Sequence, residues 1–132
     1  MSIKYFVAPE IKKQVDEIAA SLNFFNVVPQ FVFCIRSKGS KAKRTIARIH
    51  GLGRIWQEAL NLPPSYVIEV ISENFDELSQ ENKEKTLIHE LLHIPQGFSG
   101  GFRPHKGYVE QEIVERLYKE LKKNKSLRRN FE

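Results

Sequence analysis

Cysteine is almost absent from this chain, because Cys34 is the single cysteine in 132 residues. One cysteine excludes an internal disulfide and any zinc site built on several thiolates. Cys34 lies in the apolar run at residues 31–35, which predicts a buried core thiol rather than a nucleophile. That run is the longest apolar stretch, and it is far too short to cross a bilayer. The first residues also lack the apolar segment of a signal peptide, so we predict a cytoplasmic protein without a membrane segment.

Acidic residues are missing between Glu17 and Glu58, although the whole chain has 16 of them. The gap holds a basic segment, residues 36–54, with Arg36, Lys38, Lys41, Lys43, Arg44, Arg48 and Arg54. The C-terminal tail is basic as well, with Lys119, Lys122, Lys123, Lys125, Arg128 and Arg129. One interpretation is that nucleic acid or another anionic partner binds these two patches. The other is a solvated hairpin tip and a frayed helix end.

The length and a hydrophobic fraction of 41% predict one globular domain over residues 1–132. Hydrophobic periodicity predicts helices at residues 9–22, 54–60, 80–94 and 108–123. Runs rich in β-branched and aromatic residues predict strands at 30–37, 45–50 and 66–72. Ser79 is the expected N-cap of the third helix, and Pro95 cannot continue it. The fold class that follows is α+β: a sheet of about three strands, antiparallel or mixed, covered by helices.

The strongest chemical signal is the sequence His-Glu-Leu-Leu-His at residues 89–93. Side chains four positions apart share one face of a helix, so His89 and His93 can bind the same metal ion. Glu90 lies one step around the helix, where it can reach a water molecule without ligating the metal. This is the H-E-x-x-H pattern of zinc peptidases. We therefore predict a metal site at His89 and His93, with Glu90 as the catalytic residue.

A catalytic zinc site usually has a third protein ligand, and the sequence offers two. His105 follows a glycine-rich loop that can fold back under the helix, which makes it the leading candidate. Glu112, early in the last helix, is the rival and matches the placement of a glutamate ligand in thermolysin-like enzymes. The metzincin spacing fails, because Ser99 stands where that pattern needs histidine. His50, in a predicted strand, is interpreted as structural.

Residues 89–105 resemble a zincin-like family of metallopeptidases from archaea and phages. The resemblance extends upstream through residues 51–56 and 66–72, so it covers most of the chain. The sequence is more distantly similar to SprT-like proteases, which pair H-E-x-x-H with a later histidine. These resemblances imply a zincin-like domain, zinc on His89, His93 and His105, Glu90 as general base, and a peptide or protein substrate. SprT-like proteases act on proteins near DNA, which would give the basic patches a use.

Supporting residues can be suggested around this motif. A developing oxyanion needs a positive or donor group, and Arg103 and Tyr108 flank the third histidine. Metal-bound histidines usually donate their second nitrogen to a carboxylate or carbonyl, for which Glu69, Glu110 and Glu112 are candidates.

Two other functions remain open at this stage. The first is a nucleic-acid-binding domain with a structural zinc, alone or combined with protease activity in a DNA-associated enzyme. The second is a zincin fold without activity. Glu90 distinguishes the enzyme from the binding module, because a structural zinc site would not need an acid there.

Overall fold

The computed structural model describes residues 2–131, without the side chain of Phe131. Strands and helices follow one another as β1 (Lys4–Val7), α1 (Pro9–Ser21), β2 (Val32–Lys38), β3 (Ala47–Gly51), α2 (Arg54–Leu60), β4 (Tyr66–Ile71), α3 (Ser72–Phe75), α4 (Gln80–Leu92) and α5 (Gln111–Phe131), with a 3₁₀ turn at Pro29–Phe31. The predicted α+β class is confirmed, with four strands and five helices among the described residues.

The sheet is mixed, and its strand order is β1-β2-β4-β3. β4 pairs parallel with β2 and antiparallel with β3. The interpretation of the basic segment, residues 36–54, as a hairpin tip is therefore wrong, because β2 and β3 do not pair and β4 lies between them. β4 suits the central position because all its residues except Val67 are buried. β3 occupies one edge of the sheet.

The sheet has four strands rather than the three expected, and the additional strand is β1. It pairs antiparallel with β2, from Lys4 opposite Lys38 to Val7 opposite Ile35. All four β1 residues are exposed, so the strand has no buried face and gives no alternating pattern in the sequence. β1 forms because β2 offers it a backbone partner, which is a tertiary effect.

Helices α1, α4 and α5 contribute to one hydrophobic core with the inner face of the sheet. On β4, Tyr66, Ile68 and Val70 alternate toward this core and are fully buried. Cys34 pairs with Ile68 and is buried as predicted, and burial raises the pKa of its thiol to about 12. The inner face of the sheet thus fixes the position of α4.

Of the two helices nearest the predicted metal site, α4 ends at Leu92 rather than 94, and α5 differs from its expected bounds at both ends. α4 begins after Ser79, whose hydroxyl accepts a hydrogen bond from the amide of Asn82 at 3.2 Å, as predicted for an N-cap. α5 begins at Gln111 rather than 108, because a turn closed by hydrogen bonds to the carbonyl of His105 occupies residues 105–109. It then continues to Phe131 instead of ending near 123.

Candidate active site

Three histidines converge beside the C-terminal end of α4. Their ring centroids lie 5.1 Å apart for His89 and His93, 4.7 Å for His93 and His105, and 5.3 Å for His89 and His105. One ring nitrogen from each lies within 4.8 Å of the other two. Helical spacing brings the first two together, whereas His105 returns to them at the end of the loop after α4. Among residues 2–131, this is the group of side chains arranged to hold a metal ion.

The donor chemistry of the cluster fits a transition metal. Imidazole binds metal only in its neutral form. Burial, with the neighbouring His93 and His105, lowers the pKa of His89 to about 4, so this ring is neutral at physiological pH. Among the described residues no fourth donor joins the three nitrogens. Three protein ligands are the usual number in catalytic zinc sites, which leave one position open.

Glu112 does not join this cluster. It is exposed in the first turn of α5 and is absent from the group of converging ligand atoms. His50 is also elsewhere: its Nε2 lies 2.8 Å from Oε1 of Glu69. Of the two candidates for a third ligand, the fold brings His105 to the helix.

His93 is oriented by the main chain rather than by a carboxylate. Its Nδ1 lies 2.9 Å from the carbonyl oxygen of Arg103, which can only accept a hydrogen bond, so Nδ1 carries the proton. This arrangement leaves Nε2 free as the ligand atom. The amide of Arg103 in turn donates to the carbonyl of His93 at 2.7 Å.

The carboxylates considered for this role have other partners. Glu69 accepts hydrogen bonds from Arg48 and His50, and Glu110 accepts one from the amide of Gly107 at 3.1 Å. Burial by itself would raise the pKa of Glu69, but Ser37, His50 and Arg48 beside it outweigh this and lower the pKa. The carboxylate of Glu69 therefore stays ionised where it neutralises Arg48.

Tyr66 holds the loop that carries His105, a role that the sequence did not reveal. Its buried hydroxyl donates to the carbonyl of Gly101 at 2.7 Å and accepts from the amide of Gly100 at 2.9 Å. Its ring packs edge-on against Phe98 and Phe102, with ring centroids 4.9 and 5.9 Å away, respectively. A tyrosine in a buried strand needs a hydrogen-bond partner for its hydroxyl, and this is the one feature of the sequence that could have indicated the role of Tyr66.

Close backbone contact fixes the same loop against β3. A Cβ atom on Gly51 would lie 2.1 Å from the carbonyl oxygen of Gly100, so glycine is required at position 51. Gly100 itself has φ +97°, a conformation that favours glycine. The side-chain amide of Gln57 donates to the carbonyls of Leu52 and Ser99, which ties α2 to this point. The loop is thus held from β3, β4 and α2.

Glu90 is buried on α4 next to the first histidine, with 6% of its surface exposed. Burial raises the pKa of its carboxyl to about 7. A carboxyl with a pKa near the operating pH can both accept and return a proton, which is the property of a general base that later acts as an acid.

The sequence profile of a family described as "Putative phage metallopeptidase" matches residues 3–127. The chain belongs to this family. The match confirms the resemblance to phage metallopeptidases and implies a metal ion and a peptide substrate. It does not show the more distant similarity to SprT-like proteases or an archaeal origin. No curated protein and no solved structure matches the chain.

A cleft runs past the histidines and along β3. A cavity of about 410 Å³ borders all three histidines, Glu90 and Arg103. A second cavity, of about 610 Å³, continues toward the start of α4. Ala47, His89 and Glu90 border both cavities, so the two adjoin at these residues, and together they are called the cleft. Because β3 is an edge strand, its free edge offers backbone groups to an extended peptide.

Carboxylates within the fold neutralise part of the charge of the two basic patches. Arg36 pairs with Glu10 at 2.6 Å and with Asp76 at 2.7 Å. Arg48 pairs with Glu69 at 3.1 Å. In the tail, Lys125 pairs with the buried Glu84. Neither the fold nor the comparisons supports nucleic-acid binding. Within residues 2–131, no helix combines the length and apolarity needed to cross a membrane.

Proposed function

We propose that this protein is a zinc-dependent peptidase in which His89, His93 and His105 hold the metal and Glu90 is the general base. The observation that carries the proposal is the convergence of three imidazole nitrogens within 4.8 Å of one another beside a buried glutamate. A ligand set of neutral nitrogen donors without thiolates suits zinc.

The chemistry of the site follows from its charges. His89, His93 and His105 would hold the zinc, which when bound would supply a Lewis acid for the carbonyl oxygen and lower the pKa of a water molecule toward ~7. Glu90 accepts the proton of the water that attacks the peptide carbonyl, and returns it to the leaving amine nitrogen. In the chain without metal, burial raises the pKa of this carboxyl to about 7, and a dication beside it would favour the ionised form that accepts the proton.

Arg103 is the residue we assign to the developing negative charge on the substrate oxygen. It lines the cleft together with the three histidines, and its guanidinium lies 5.2 Å from the ring centre of Tyr108. A fixed positive charge in a partly enclosed cleft stabilises an oxyanion more than the same charge in water. Tyr108 does not line the cleft and acts through its contact with Arg103.

Two observations favour an active enzyme over a structural zinc module. The cluster has three ligands, whereas structural zinc sites almost always have four. In addition, the carboxyl of Glu90 is buried next to the ligands and, among the described residues, has no cation hydrogen-bonded to it, which disfavours its charged form. Measurement of hydrolysis distinguishes the enzyme from a zincin fold without activity.

The test is the substitution Glu90→Gln, which keeps the size of the side chain and removes its basicity. We expect the variant to retain one zinc per chain and to lose hydrolysis of a fluorogenic peptide library by about 10²- to 10⁴-fold. Glu112→Gln is the matched control and should behave as wild type, because Glu112 lies outside the cluster. Hydrolysis at the wild-type rate by Glu90→Gln would refute the mechanism, and absence of activity in the zinc-loaded wild type would refute the enzyme.

A further inference from the structure

The half of the cleft that extends toward the start of α4 is mostly apolar but has charged residues in its wall. Apart from His89 and Glu90, these are Arg44, Lys85 and Glu115. Lys85 pairs with Glu115 at 2.9 Å and with Glu81 at 2.9 Å, so its charge is neutralised inside the wall. Arg44 makes no ion pair with any residue that the structure describes. Among the described residues, Arg44 is thus the cation of this wall whose charge no carboxylate neutralises.

The backbone around Arg44 is held in place although the segment between β2 and β3 is irregular. The side-chain amide of Asn74 donates to the carbonyl of Ala42 at 2.9 Å and to that of Thr45 at 2.7 Å. The amide of Ile71 donates to the carbonyl of Ile46 at 2.9 Å. These bonds attach both sides of Arg44 to the end of β4 and to α3. Because the backbone of the exposed Arg44 is already fixed, its side chain loses less conformational freedom when it binds an anion.

Arg44 lies a short distance along the chain from the part of the cleft beside Glu90. Arg44 lies three residues before Ala47, which borders the cleft beside Glu90. At about 3.3 Å per residue, the separation along the strand direction is at most roughly 10 Å. An extended peptide that follows the edge of β3 would therefore place a residue within about three positions of the cleaved bond next to Arg44.

We infer that the cleft selects peptides with an aspartate or glutamate within about three positions of the cleaved bond, and that Arg44 binds this carboxylate. The inference rests on the proposed function, because it names the substrate class of the same site. It gives one of the basic residues between Glu17 and Glu58 a role in substrate choice. Lys41 and Lys43 belong to the same basic segment but do not line the cleft.

Peptide binding tests this inference without requiring hydrolysis. The protein is the zinc-loaded Glu90→Gln variant, and the probes are three capped, fluorescently labelled nonapeptides that differ at one residue: glutamate, glutamine or lysine. Because a short peptide can slide to its best register, the charged residue needs no prior assignment to one side of the bond. Affinities are measured by fluorescence anisotropy at low and at physiological salt. Arg44→Glu and the matched Lys43→Glu are then introduced into the same background.

We expect the glutamate peptide to bind about three- to tenfold more tightly than the lysine peptide, with the difference shrinking as salt rises. Arg44→Glu should reverse the order, and Lys43→Glu should leave it unchanged. Equal affinities, no measurable binding of any peptide, or an equal effect of Lys43→Glu would overturn the inference.

Two further measurements separate this inference from its alternatives. A single-stranded DNA oligonucleotide that displaces the peptide and loses affinity in Arg44→Glu would assign Arg44 to nucleic acid and overturn the inference. Hydrolysis is scored separately with intact Glu90. If the wild type cleaves no peptide while the preference for glutamate and its reversal persist, the proposed enzymatic function fails and the assignment of Arg44 stands.

Discussion

His93 and Arg103 exchange two hydrogen bonds across the loop that follows α4. Nδ1 of His93 donates to the carbonyl of Arg103 at 2.9 Å, and the amide of Arg103 donates to the carbonyl of His93 at 2.7 Å. Both bonds to Arg103 involve its backbone, so they orient the imidazole while leaving the guanidinium free to border the cleft. The ligand geometry and the charge beside it are therefore separable by mutation.

Arg103→Ala should separate these two roles. The backbone bonds to His93 persist, so we expect an unchanged zinc content, while loss of the positive charge should lower kcat roughly 10²-fold. Zinc analysis and steady-state kinetics on one peptide measure the two effects. Tyr108→Phe is the control, since it keeps the ring beside Arg103 and should stay close to wild type. Loss of zinc in Arg103→Ala would show that the side chain supports the site structurally.

His105→Ala and Glu112→Ala decide the third ligand. Of these two residues, His105 joins the cluster and Glu112 does not. We therefore expect the zinc-to-protein ratio of His105→Ala to fall from one toward zero after dialysis. Glu112→Ala should keep its zinc. Elemental analysis of the dialysed proteins gives the ratio directly. The opposite result, zinc lost in Glu112→Ala alone, would move the protein to the enzymes with a glutamate ligand.

Tyr66→Phe should loosen the loop that carries His105. The substitution removes the hydrogen bonds to Gly100 and Gly101, so we expect a loss of about 1–3 kcal/mol in the free energy of unfolding and about tenfold weaker zinc binding. Urea unfolding and zinc titration against a competing chelator measure these changes. The hydroxyl of Tyr118 has no hydrogen bond among the described residues, so Tyr118→Phe is the matched control. Equal behaviour of the two variants would contradict the anchoring role of Tyr66.

Glu90→Gln should stabilise the metal-free protein in a pH-dependent way. Burial raises the pKa of Glu90 from 4.5 to about 7 in the folded chain. Below about pH 4.5 the carboxyl is protonated in both states and does not lower the free energy of unfolding. As the pH rises from 4.5 to 7, the carboxyl lowers the free energy of unfolding by an amount that reaches roughly 3 kcal/mol. The variant lacks this cost, so it should be more stable than wild type at pH 8 and equally stable at pH 4.5. Chemical unfolding in the presence of a chelator at both pH values tests this. If variant and wild type differ by the same free energy of unfolding at both pH values, the carboxyl of Glu90 has an ordinary pKa and is solvated.

Local pattern made much of the fold predictable. The helix that carries His89 and His93 follows from its own periodicity, and Ser79 caps it as expected, because these interactions join residues three or four positions apart. β1 was missed for the opposite reason: its residues are exposed, and only pairing with β2 makes it a strand. The order of the strands was also beyond local pattern, since β4 inserts between β2 and β3 from further along the chain.

Local spacing in the sequence was enough to predict two imidazoles and a carboxyl on one helix, with His105 as the leading candidate for a third ligand. The groups around them follow from the packing of distant segments: the main-chain carbonyl of Arg103 behind His93, Tyr66 beneath the loop, and Arg44 at the far part of the cleft. The physical reason is the range of the interactions. A helix sets the spacing of its side chains through its own backbone, whereas these later contacts exist only after the sheet and α4 have packed together.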